Sequence, residues 1–132
     1  MDYKKPTAQM LGRWQPFHEG HLALFEEALK KTGQVCIMVR DTGGNDESNP
    51  FDFDFVKEKI QEKLLPKYKD KFDIILVPNI TNICYGRGVG YAIEEIDLPD
   101  HIKKISATDI RKNMKWKSII FFQVYHAQVT LY

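Results

Sequence analysis

His18 and His21 stand three residues apart around Glu19 and Gly20. The segment that carries them, Gly12-Arg13-Trp14-Gln15-Pro16-Phe17-His18-Glu19-Gly20-His21, adds a basic residue and two aromatic rings. Residues three apart share a face once a helix has begun, so both imidazoles could touch one phosphate group. Gly20 removes a Cβ where a ligand would press against the backbone. A helix N-terminus favours an anion through its free N–H groups and its dipole. Taken alone, a His-x-x-His pair is more plainly read as solvated or as a helix cap. Zinc is disfavoured because the other histidines, His101 and His126, have no spacing that would complete a ligand set.

A second group lies far along the chain at Ile105-Ser106-Ala107-Thr108-Asp109-Ile110-Arg111. Ser106 and Thr108 at a helix start can present hydroxyls and backbone N–H groups to phosphate oxygens, and Arg111 can fork onto the same oxygens. An ordinary capped helix is the alternative for this group taken alone. Trp14 is either a stacking surface for a planar substrate or simple packing. Arg40 and Arg87, at the ends of predicted strand segments, are weaker candidates for an acceptor's phosphate.

These residues must be held by a scaffold. Apolar residues from Gln9 to Trp14 predict a strand, and Leu22, Phe25, Ala28 and Leu29 predict a helix over His21 to Lys31 that Gly33 stops. Val35 to Val39 and Phe72 to Val77 read as buried strands, and Val56, Ile60 and Leu64 mark a helix that Pro66 is expected to end. Asp41 to Asp54 is rich in turn formers and reads as an exposed loop. Tyr91 to Leu98 suggests a short edge strand. Ser106 with Asp109 resembles a capping box for a helix from about Ala107 to Trp116. This alternation implies an α/β fold, a doubly wound parallel sheet with helices on both faces. Ligands of such sheets sit beyond the carboxyl ends of the strands, where loops lead into helices, and the Trp14 to His21 segment falls at that place.

Bulk properties narrow the classes. A chain of 132 residues with 43% hydrophobic content is enough for one core. Its 19 basic and 18 acidic residues nearly cancel, which argues against nucleic acid or a membrane surface as a partner. Cys36 and Cys84 read as reduced core thiols, and neither a signal-like start nor a long apolar span is evident, so a cytoplasmic protein is expected.

Together the two motifs resemble the HxGH nucleotidyltransferase (cytidylyltransferase-like) superfamily. His18-Glu19-Gly20-His21 and Ile105-Ser106-Ala107-Thr108-Asp109-Ile110-Arg111 stand in that family's order. Gly12 to His18, with Asn49-Pro50-Phe51, looks most like the archaeal-type nicotinamide mononucleotide adenylyltransferases. The resemblance implies a single Rossmann-like domain. It also implies attack by an acceptor phosphate on the α-phosphorus of ATP or CTP, with pyrophosphate leaving. On that basis His18, His21 and Arg111 are catalytic, and Gly12, Arg13, Trp14, Phe17, Gly20, Ser106 and Thr108 bind nucleotide. Arg40 and Arg87 are candidate acceptor contacts. A Mg²⁺ ion bridging the phosphates is the implied cofactor, without a dedicated protein metal site. The implied partners are ATP or CTP, a small phosphorylated acceptor, and further copies of the chain in a homo-oligomer.

The chain departs from that family in two places. Only Tyr91 to Pro99 separates Gly90 from the second motif, so the sheet is shortened by about one helix-strand unit, and Gly86 to Tyr91 is a candidate replacement wall. Residues 118–132, beyond the 1–117 nucleotidyltransferase domain, form an apolar tail expected as an edge strand or a subunit contact. The competing readings are a cytidylyltransferase, a non-catalytic nucleotide sensor or assembly protein, and, more remotely, a dinucleotide-binding domain, for which the Gly-x-Gly-x-x-Gly turn is lacking.

Overall fold

The computed structural model describes residues 1–43, 46–88 and 90–114, so the apolar tail and the 117/118 boundary lie outside the described residues. Strands β1 (Ala8–Gly12), β2 (Val35–Arg40) and β3 (Phe72–Val77) form a parallel sheet in the order β1-β2-β3. Helix α1 (Glu19–Thr32) connects the first pair and α2 (Phe53–Tyr68) the second. The α/β class with a parallel sheet is as the sequence implied.

Alternation along β2 explains the layering. Val35, Ile37 and Val39 are buried while Cys36, Met38 and Arg40 are only partly covered. The buried set shares one core with Met10 and Phe72 of the outer strands and with Phe25, Ala28, Val56, Ile60 and Leu64 of the two helices. Both long helices of the described residues therefore lie against the same face of the sheet. Each fully buried Val, Leu, Ile or Phe contributes about 1.5–3 kcal/mol, so this cluster is the main support of the fold.

Several boundaries differ from expectation. Helix α1 begins at Glu19, with His18 as its N-cap, and ends at Gly33, whose φ of 84° is the left-handed conformation glycine tolerates. Pro66 lies inside α2, which continues to Tyr68. So near the C-terminal end, few helix bonds remain for the proline to interrupt. Residues 91–98 form no strand, and a four-residue helix, α3 (Asp100–Lys103), follows them. Helical residues 107–114 start where the Ser106 cap predicts. Cys84 is exposed rather than in the core; Cys36 is partly buried, and both are free thiols. No helix among the described residues is long and apolar enough to cross a membrane.

Candidate active site

The strands end together: Gly12 pairs with Val39, and Arg40 with Val77. Residues 13–18 leave β1 at this edge and lead straight into α1, which puts the histidine motif beyond the carboxyl ends of the strands.

His18 caps α1 with its imidazole. Its Nδ1 accepts from the backbone N–H groups of Gly20 at 3.0 Å and His21 at 3.4 Å, and the His18 N–H donates in return to Nδ1 of His21 at 3.1 Å. The capping and the phosphate-facing readings of this pair are thus compatible. Because both Nδ1 atoms accept, both rings are neutral with the proton on Nε2. The rings stack with centroids 3.5 Å apart and 19° between planes, so two N–H donors lie side by side. The helix N–H groups of Gly20 and His21 are not themselves free for an anion. They act through the His18 ring, whose Nε2–H becomes a stronger donor when Nδ1 accepts.

Burial holds both rings neutral. It lowers the His18 pKa, with nearby Lys63 acting in the same direction and Glu19 opposing. The His21 pKa is lowered to about 3, by burial first and by His18 second. His21 is enclosed by Trp14, edge-on at 4.7 Å, and by Phe17 at 5.4 Å. With its folded value below the unfolded one, the unfolded chain takes up the proton first. Stability is therefore full above the unfolded value near 6.5 and is lost as pH falls toward 3. Between pH 7 and pH 5 this group alone is expected to cost about 2 kcal/mol. Urea unfolding at the two pH values should show that loss in the native chain and not in His21→Asn, and equal losses in both would refute the assignment.

The glycines and aromatics of the motif serve the histidines more directly than a ligand. A Cβ on Gly20 would lie 2.8 Å from Cε1 of His18, so the missing side chain makes room for the capping ring. A Cβ on Gly12 would meet the Trp14 ring at 2.8 Å. Trp14 itself, at φ 54°, is strained by about 1–3 kcal/mol. Its indole donates to the Met38 carbonyl at 3.0 Å. Trp14 and Phe17 are buried and belong to the apolar core.

The second motif reaches the first through Arg111. Its Nη1 donates to the Gln15 carbonyl at 2.7 Å and its Nη2 to Thr108 Oγ1 at 3.3 Å. Ser106 caps the 107–114 helix by accepting from the Asp109 N–H at 3.4 Å. Thr108 and Arg111 line a cleft of about 400 Å³ whose opposite wall is Glu47, Ser48, Pro50 and Phe51. The histidines do not line this cleft; Gln15 stands between the two features. Arg13 donates to Asn49 Oδ1 at 3.3 Å, so the loop after β2 is bound to the motif and Asn49 is buried, not exposed as the turn composition suggested.

Arg40 closes β2 with Nη2 on Asn79 Oδ1 at 2.9 Å, and its Nε is buried without an acceptor among the described residues. Arg87, expected at a strand end, lies in an exposed stretch without strand structure. It lines a second cavity, of about 1010 Å³, that runs along the β1 edge from Pro6 and Thr7 to Leu11. The structure does not bring Arg87 to the motif. No group of three or more His, Cys, Asp or Glu suited to a metal occurs among the described residues. Gln15 and Asn49 stood in the segments that carry the resemblance but received no role of their own, since an amide carries no spacing signal.

Residues 10–54 match the cytidylyltransferase-like family. That stretch holds the end of β1, the histidine pair, β2 and the start of α2. The nicotinamide-nucleotide adenylyltransferase of Sulfurisphaera tokodaii is 29% identical over 151 residues, covering 86% of this chain and 85% of that protein. The nicotinamide-nucleotide adenylyltransferase of Methanococcus aeolicus is 33% identical over 76 residues, 55% of this chain and 42% of that one. A solved bifunctional NMN adenylyltransferase/ADP ribose pyrophosphatase from Francisella tularensis, complexed with AMP and a manganese ion, is 28% identical over 56% of this chain and 22% of its own, with a TM-score of 0.46. The family suggested by the two motifs is the one these comparisons return.

Proposed function

We propose that this chain is a cytoplasmic adenylyltransferase that moves AMP from ATP onto a small phosphorylated acceptor of the nicotinamide mononucleotide type. An acceptor phosphate oxygen bonds to the α-phosphorus, the α–β bridging P–O bond breaks, and pyrophosphate leaves with its electron pair. The observation that carries the reading is the 2.7 Å hydrogen bond from Arg111 to the Gln15 carbonyl, which joins motifs 96 residues apart. The two named relatives support adenylyl transfer at the level of the family.

In this reading the neutral Nε2–H groups of His18 and His21 stabilise charge on the triphosphate as the α-phosphorus is attacked. Arg111, Thr108 and Ser106 hold the β- and γ-phosphates, with Arg13 beside them. Arg40, whose buried Nε lacks an acceptor among the described residues, receives the acceptor's phosphate. The donors present are hydroxyls, imidazoles and guanidinium groups rather than a carboxylate cage. They suit a Mg²⁺ ion that arrives on the nucleotide and is held by phosphate and water, where it would neutralise phosphate charge.

The test is a panel of ATP and CTP, with Mg²⁺, against phosphorylated acceptors including nicotinamide mononucleotide, scored by pyrophosphate release and by product. ATP-dependent release that requires an acceptor is expected. Release with CTP alone would make the protein a cytidylyltransferase, release without acceptor would indicate hydrolysis, and ATP binding without turnover would indicate a sensor. Each of those three results overturns the proposal.

A further inference from the structure

We infer that Gln15 is a positioning residue, whose buried amide holds the loop after β2 and, through its own carbonyl, Arg111 in place for the triphosphate. This rests on the reading of Arg111 as a phosphate ligand. Gln15 is only 5% exposed. Its Oε1 accepts from the Phe51 N–H at 3.0 Å and its Nε2 donates to the Phe51 carbonyl at 3.0 Å, a closed two-bond ring across 36 residues. Its backbone carbonyl accepts from Arg111 at 2.7 Å.

One residue therefore joins three segments: the approach to the histidine pair, the loop wall of the 400 Å³ cleft, and the helix that supplies Thr108 and Arg111 to the opposite wall. The side-chain ring ties Gln15 to Phe51, and so holds in place the residue whose carbonyl meets the guanidinium. With Nη1 on Gln15 and Nη2 on Thr108, the plane of Arg111 is set at both ends, and its remaining N–H donors stay available. The adjacent Arg13 to Asn49 bond fastens the same loop from the next side chain but one.

Only an amide of this length closes the ring. Gln15→Met keeps the volume and loses both bonds. Gln15→Glu keeps the acceptor but sets a carboxylate against the Phe51 carbonyl at neutral pH. Hydrogen exchange at the Phe51 amide and calorimetric affinity for Mg–ATP test the inference, with exchange of the β2 amides as the control for folding. In Gln15→Met the Phe51 amide should exchange at least about 10-fold faster while β2 is unchanged, and in both variants Mg–ATP should bind about 10-fold more weakly, as expected for lost placement of one charged, forked ligand. Exchange at Phe51 unchanged in Gln15→Met overturns the inference, as does faster exchange with full affinity, which would leave Gln15 a purely structural residue. Native protein that binds no Mg–ATP overturns this inference together with the proposed function; native binding that neither variant weakens overturns this one alone.

Discussion

Replacing His18 with asparagine is expected to lower turnover by about 10²-fold or more while leaving thermal stability almost unchanged. The His18 ring has two separable functions. Its Nδ1 caps α1 through the Gly20 and His21 N–H groups, which leaves Nε2–H as the donor for a ligand in the proposed reaction. Asparagine is among the best N-cap residues, so its carbonyl oxygen can replace Nδ1, but its amide cannot project a donor to where Nε2 lies. Alanine removes both functions. His18→Ala should show the same catalytic loss and, in addition, about 1 kcal/mol of destabilisation from the uncapped helix. Initial rates with ATP and acceptor, read beside thermal melts of both variants, separate the two effects. Full turnover in His18→Asn would mean that the imidazole is a cap and nothing more.

For Arg111 the expected result is a loss of about 10²-fold in kcat/KM for ATP on replacement by alanine, and about 10-fold on replacement by lysine. Hydrogen bonds to charged groups are worth about 1.5–3 kcal/mol each, which sets the first figure. Lysine restores the charge but not the planar fork, so it cannot bond the Gln15 carbonyl and Thr108 Oγ1 and still present donors to a phosphate. Because Arg111 lies on the wall of an open cleft and not in the apolar core, neither variant should unfold the chain; circular dichroism provides that control. An alanine variant with native kcat/KM would detach the 107–114 helix from the chemistry and with it the link between the two motifs.

The site differs in one important respect from the common picture of phosphate held by bare helix N–H groups. At α1 two of those N–H groups are already taken by His18, so in the proposed reaction the triphosphate meets imidazole N–H donors, which pass on the polarisation of the helix end. Neutral rings suit this task. They donate hydrogen bonds without the pH sensitivity of an imidazolium, and the low His21 value keeps that state across the physiological range.

The sequence by itself determined the elements and the candidate chemistry. Apolar periodicity in Leu22, Phe25 and Ala28 and in Val35, Ile37 and Val39 is a local property, so α1 and β2 were legible to within a few residues. The Ser106 cap was legible for the same reason, as were the residue types of the two motifs. Pro66 misled because its cost depends on how much helix follows it, and that depends on where α2 packs. Only the tertiary structure decided how the site is joined. The Gln15 to Phe51 and Gln15 to Arg111 bonds span 36 and 96 residues, and no periodicity encodes such a pairing. It likewise set what lies against Gly20 and Gly12, the His18 and Trp14 rings, because which atoms come within about 3 Å of an absent side chain is decided by chain folding alone.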